Sequence, residues 1–172
     1  MENKAAKRKI VSSRHLATEK GWQLSELEFG MIVASNGFNR WISRCMLASG
    51  NPDLSALEIL VLHNINHRAR SKRLSDVCFM LNIEDAHTVN YAIKKLVKHA
   101  LVCGEKSGKE VIYSATDAGV TLCEKYRDTR EQCLIESLKM IDADGKDLSE
   151  VAAILRALSG IYDQAARAAS SL

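Results

Sequence analysis

Apolar residues recur every three or four positions along most of this chain, and the rhythm gives way to alternation only once. From Ser25 to about Ser49 the apolar positions Leu27, Met31, Phe38, Trp41, Ile42, Cys45 and Met46 keep a helical period. Ser25-x-x-Glu28 reads as its capping box, Gly30 and Gly37 weaken it, and "SGNP" stops it. A second box, Ser55-x-x-Glu58, opens a compact helix through Ile59, Leu60, Leu62 and Ile65. After the polar "HRARSKR" turn a third helix starts at Leu74-Ser75, with Ser75 as its expected cap, and ends near Asn82. Asp85 caps a fourth, which runs to about Ala100.

The period then changes. "LVCGEKSGKEVIYSAT" alternates around the turn residues Ser107-Gly108, which predicts a β-hairpin. A helix restarts at Thr116-Asp117 and carries Val120, Leu122, Cys123, Tyr126, Cys133, Leu134 and Leu138. "DADGKD" breaks it, and Asp147-x-x-Glu150 caps a last helix rich in Ala and Leu. The order is four helices, a hairpin, then two helices.

The fourth helix is two-sided. Val89, Ile93, Leu96 and Val97 suit packing, whereas His87, Thr88, Asn90, Tyr91 and Lys94 donate hydrogen bonds, stack or carry charge. On an isolated helix such a face is ordinary solvated surface. Between a preceding short helix and a following hairpin it acquires another meaning, because the second helix of a helix-turn-helix must pack on one side and meet base edges on the other.

Charge sharpens that reading. The 172 residues carry a net charge of only +3, but it is unevenly placed. Residues 1–20 hold six Lys or Arg against two acids, and residues 60–113 hold nine against five with four of the five histidines. The intervening segment and the C-terminal third are acidic. A polyanion partner for the middle of the chain fits this asymmetry. Arg68, Arg70, Lys72 and Arg73 form the densest basic group, and Lys98, Lys106 and Lys109 continue it toward the hairpin. All seven are candidate contacts to the DNA backbone or to its grooves from the wing.

Other chemistries find little support. Cys45, Cys78, Cys103, Cys123 and Cys133 are odd in number and form no C-x-x-C pair, so most are expected to be small core residues. His63 and His67 stand at the i, i+4 spacing of a helical metal pair, but two ligands make no site, and a partly exposed pair with no metal is expected. No glycine-rich phosphate loop and no G-x-S-x-G elbow occurs, which argues against an enzyme. No cofactor is expected. No apolar run reaches the roughly 18 residues of a membrane span, and the basic N-terminus lacks a signal sequence's apolar stretch, so the expected location is cytoplasmic, away from membranes.

Helix, helix, recognition helix and hairpin in this order, with "YSATDAG" leading straight into a helix, resemble the MarR family of bacterial transcription regulators. Ala115-Thr116-Asp117-Ala118-Gly119 stands where that family has a Leu-Thr-x-x-Gly-like signature. Leu54, Ser55 and Glu58 are similar to its second-helix opening, and "KRLSDVCFMLNIEDAHTVNYAIKKLVKHALV" covers its central motif. The resemblance spans about residues 25–170. Two departures stand out: the junction "NIEDAHTV" is one residue longer than usual, and the wing "EKSGKE" has Lys106 or Lys109 where the family often has arginine.

What the resemblance implies is a mainly α winged helix-turn-helix, with a two-stranded hairpin wing and flanking dimerisation helices. Residues 1–24 would be a basic mobile arm, 25–53 an N-terminal dimerisation helix, 54–116 the DNA-binding lobe and 117–172 the C-terminal dimerisation helices. Such a protein acts as a homodimer on double-stranded, pseudo-palindromic DNA, as a repressor released by a small-molecule effector. The competing expectation is a winged helix that binds a protein partner and no specific DNA.

Overall fold

The computed structural model describes residues 21–51, 53–138, 140 and 145–172. The arm expected at the N-terminus lies outside them up to residue 20, as does part of "DADGKD". Chain contacts divide the protein into two units, one ending at Thr129 and one running from Arg130 to Leu172.

Helices α1 (Trp22–Ala48), α2 (Ala56–Asn66), α3 (Leu74–Leu81), α4 (Ala86–Lys98) and most of α5 (Asp117–Arg130) belong to the first unit. With them goes a small antiparallel sheet, β1 (Lys72–Arg73), β2 (Val102–Ser107) and β3 (Glu110–Ala115), in the order β1-β3-β2. The expected two-stranded wing thus gains a third strand, Lys72 pairing with Tyr113 and Arg73 with Ile112. Two residues are too few to show a period, so β1 was invisible in the pattern.

α2 is the centre of this unit. Ile59, Val61, Leu62 and Ile65 are all buried, and each such side chain is worth roughly 1.5–3 kcal/mol relative to exposure. A helix this apolar on several sides must be covered all round. α1 covers it through Ile42, Cys45 and Met46, α3 through Val77, and α4 through Val89, Ala92, Ile93 and Leu96. Leu122, Cys123 and Tyr126 of α5 join the same cluster. The Ser55 box is intact: its hydroxyl accepts from the Glu58 N–H at 3.4 Å, and the Glu58 carboxylate accepts from the Ser55 N–H at 2.7 Å.

Four boundaries differ from expectation. α1 begins at Trp22, so Ser25 lies inside the helix, buried, and is not its cap. α3 is capped from Arg73, not Ser75, because the Asp76 carboxylate reaches back to the Arg73 N–H at 3.0 Å. The hairpin turns at Gly108-Lys109, with Ser107 paired to Glu110 and Gly108 at φ +64°, as a two-residue loop with glycine first requires. α7 (Gly145–Ala169) starts two residues before Asp147, which falls in its first turn.

The Ala115–Gly119 segment has a double mechanical role. The Thr116 hydroxyl accepts from the Gly119 N–H at 3.1 Å, capping α5, and donates to the Ala100 carbonyl at 2.7 Å. The Thr116 N–H bonds the Leu101 carbonyl at 3.1 Å, so α5 starts flush against the end of the recognition-helix segment.

The second unit holds a π-helical turn (Glu131–Ile135), α6 (Glu136–Leu138) and α7. None of the described residues of α7 is buried, and Val151, Ile154 and Ile161 are each more than half exposed. Leu24, Ile32, Val33 and Phe38 of α1 are likewise exposed. No described helix is long and apolar enough to cross a membrane.

The cysteines divide. Cys45 and Cys123 lie in the core, Cys78 is half-buried, and Cys103 and Cys133 are exposed. Burial pushes the Cys123 thiol up to about 11. The two histidines differ in surroundings: His67 is exposed, whereas His63 is half-buried and its ring meets Tyr126.

Candidate nucleic-acid interface

α3 and α4 are joined by four residues, within the ordinary length of a helix-turn-helix junction, so the extra residue expected in "NIEDAHTV" does not lengthen the turn. Asn82 makes the turn at φ +51°, which a short polar side chain tolerates. Its neighbour Ile83 donates to the Cys78 carbonyl at 3.0 Å and packs against the core. Asp85 then caps α4, accepting from the His87 N–H at 2.9 Å and the Thr88 hydroxyl at 2.6 Å. The Thr88 hydroxyl first, and then the His87 N–H, hold the Asp85 carboxyl below its usual range. The acid at the mouth of the recognition helix is therefore its cap.

At about 100° per residue, Val89, Ala92, Ile93 and Leu96 point into the core and are at most 3% exposed. Val97, expected among them, lies a quarter-turn away and is 43% exposed, while Ala92 takes its place. Opposite the core runs a stripe at i, i+4, i+7 and i+11: His87, Tyr91, Lys94 and Lys98, all exposed. Tyr91 is 74% exposed, and the Lys94 ammonium stands 5.9 Å from the centre of its ring, within cation–π range. Asn90 is half-buried on one flank. The Thr88 hydroxyl is occupied by the Asp85 cap.

The basic group entering α3 splits into two kinds of residue. Lys72 folds its ammonium onto the end of α2 and donates to the carbonyls of His67 at 2.8 Å and of Ile65 and Arg70 at 3.4 Å. Burial, followed by the charges of Arg68 and Arg70, lowers its pKa against the pull of Asp76. Arg73 is forked between Asp76 at 3.0 Å and Glu110 at 3.5 Å, tying the start of α3 to the wing. Lys72 and Arg73, both read as DNA contacts, thus have structural partners.

Arg68 and Arg70 are exposed, on a loop that holds Arg68 at φ +63° and Ala69 at +47°. Lys106 and Lys109 sit exposed at the hairpin end, beside Glu105 and Glu110. Sequence reading overlooked Lys95. Its neighbours Lys94 and Lys98 point outward, yet its ammonium lies 2.9 Å from the Glu58 carboxylate and 2.6 Å from the Asp53 carbonyl. The signal was present in the α2 box, whose Glu58 has acceptor capacity left for a cation.

Among the described residues no group of three metal-ligating side chains occurs. The candidate surface is made of stacking, amide, ammonium and guanidinium groups, the types that can meet phosphates and base edges.

Known proteins place this geometry. Residues 54–119 match the family model described as a winged helix DNA-binding domain. No curated protein matches the chain in sequence. Among solved structures, a MarR family regulator from Neisseria meningitidis is similar at a TM-score of 0.66 and 17% identity, over 84% of this chain and 96% of that one. A mutant MarR from E. coli complexed with operator DNA is similar at 0.64 and 14% identity, over 82% and 99%. MarR of Staphylococcus aureus, in complex with salicylate and kanamycin, reaches 0.62 and 14%, over 83% and 94%. Residues 54–119 are therefore similar to the winged helix DNA-binding domain, and the fold around them is that of the MarR-family regulator structures.

Proposed function

We propose that this protein is a MarR-type transcription regulator that binds pseudo-palindromic DNA as a homodimer and represses by occupying its operator. The observation that carries this reading is the outward stripe of α4, His87, Tyr91, Lys94 and Lys98, set opposite a buried one in a helix-turn-helix. In the major groove Lys94 meets guanine acceptors, Tyr91 reaches a thymine methyl or a phosphate, and Asn90 and His87 read from the flank and the leading turn. Thr88 contributes by its methyl, since its hydroxyl serves the cap. Arg68, Arg70 and Lys98 neutralise phosphates, and Lys106 or Lys109 approaches the minor groove from the wing.

The exposed apolar faces of α1 and α7 support the dimer, because each leaves large side chains in water. Two-fold symmetry then sets two recognition helices about one DNA turn, roughly 34–36 Å, apart. A cleft of about 430 Å³ at the end of α1 and the start of α5, lined by Ser49, Asn51, Leu101, Asp117 and Lys125 among others, offers space for a small effector. The E. coli relative complexed with operator DNA and the S. aureus relative with salicylate support both parts of the reading.

A second reading has one observation in its favour. Phe79 is 84% exposed and Met80 58% exposed on α3, which suits a protein partner better than phosphate. Selecting bound fragments from a genomic library and titrating the best one with salt decides between them. A preferred sequence with a steep salt dependence supports the regulator, and no duplex binding at low salt supports the interaction module.

A further inference from the structure

Lys95 occupies neither face of the recognition helix. It follows Lys94 by one residue, about 100° round the axis, and so leaves the outward stripe for the flank beside the start of α2. There its ammonium finds two acceptors, Glu58 Oε2 at 2.9 Å and the Asp53 carbonyl at 2.6 Å. The same Glu58 oxygen accepts from the Ser55 N–H at 2.7 Å. One carboxylate oxygen therefore caps α2 and holds α4 at once. The Glu58 side chain is 14% exposed and that of Lys95 38%, so solvent reaches the pair mainly from the lysine side.

The apolar contacts between α2 and α4 do not by themselves fix how α4 is rolled about its axis. Hydrophobic burial is non-directional, so the burial of Val89, Ala92, Ile93 and Leu96 constrains the roll less sharply than a directed bond does. Hydrogen bonds do fix it, because they weaken steeply with angle and distance. A roll of about 20° carries side chains about 5–6 Å from the axis through roughly 2 Å, far beyond what a paired base contact tolerates. Lys95, one residue along from Lys94 and bonded to the start of α2, is thus placed to hold the stripe still.

We propose that Lys95 is a positioning residue for DNA reading: by clamping α4 to the Glu58 cap of α2 it sets which base edges Tyr91 and Lys94 meet, without touching DNA. This rests on the function proposed above. It also separates two neighbouring lysines by role, Lys94 for the DNA and Lys95 for the scaffold.

The test compares Lys95→Met, which keeps the apolar stem, and Lys95→Arg with the full-length wild type. Binding is measured across a range of salt on a duplex selected by the wild type and on its scrambled counterpart. Lys95→Met should lose about tenfold on the selected duplex, the order of one misplaced base contact. Binding to the scrambled duplex and the salt slope should not move, and Lys95→Arg should recover most of the loss.

Equal losses on both duplexes, with the slope falling by about one, would make Lys95 a phosphate contact and overturn the proposal. No loss on either duplex would overturn it as well. Should Lys95→Met fail to fold, Glu58→Gln keeps an oxygen for the cap and drops the charge; it must lower the ratio between the two duplexes in the same sense. A wild type with no preference between the duplexes would sink the regulator reading itself, whereas a selective wild type with an unaltered Lys95→Met sinks only the clamp.

Discussion

A Cβ on Gly119 would run into the backbone carbonyl oxygen of Leu101. The first turn of α5 lies that close to the segment leaving α4, and the neighbouring atom is backbone, which cannot swing aside. Gly119→Ala should therefore destabilise the first unit by at least the ~1–3 kcal/mol typical of overpacking. Thr116→Val, which removes the cap and the bond to Ala100, should cost about 1 kcal/mol. Denaturant unfolding of the two variants checks both, and an unchanged midpoint for Gly119→Ala would contradict the close approach.

His63 meets the ring of Tyr126 edge-on, with centroids 4.5 Å apart, and its buried Nε2 has no hydrogen-bond partner among the described residues. Burial lowers its pKa below the ordinary histidine value of 6.5. The unfolded chain therefore binds a proton that the folded one refuses. Stability from this site is complete above pH 6.5 and falls as the pH drops from there toward the depressed folded value. His63→Phe should flatten that part of the stability-against-pH curve. Equal slopes for variant and wild type between pH 5 and 6.5 would show that another group is responsible.

The exposed apolar faces predict self-association. Ile154 and Ile161 of α7 are 54% and 58% exposed, and a dimer would cover them. Sedimentation should give a dimer at micromolar protein, and Ile154→Glu with Ile161→Glu should shift it to monomer. A compact wild-type monomer under those conditions removes the two-fold model.

The basic loop contains two kinds of arginine, and DNA binding should distinguish them. Neutralising Arg68 and Arg70 to Gln should weaken all duplexes alike and lower the salt slope by up to about two. Arg73→Gln should leave that slope intact, because its guanidinium is held by Asp76 and Glu110. If Arg73→Gln lowers the slope as much as Arg70→Gln, Arg73 leaves its carboxylates for phosphate.

Base reading should centre on Tyr91 and Lys94. Lys94→Ala and Tyr91→Ala should each cost about 1–3 kcal/mol on a selected duplex and much less on a scrambled one. Asn90→Ala should cost less, since Asn90 is half-buried beside the stripe. The reverse order would mean that α4 enters the groove on its Asn90 flank.

Much of this was legible in the residues because it depends on local rules. The Ser55 box, the Asp85 cap and the Asn82 turn each need only a few consecutive residues, and each appears in the fold. The alternation of the hairpin and the two-sidedness of α4 are periodic, so a pattern finds them. What tertiary structure alone decided is where long cationic side chains end. Lys72, Arg73 and Lys95 look in sequence like Arg70 and Lys94, yet they close onto the end of α2, the Asp76–Glu110 pair and the Glu58 cap. Periodicity fixes the direction of a Cβ, but the head of a lysine or arginine lies several bonds beyond it. It goes to whichever acceptor the folded chain brings within reach. Strand β1 and the divergence of His63 from His67 have the same origin, because their partners, Tyr113 with Ile112 and Tyr126, come from far along the chain.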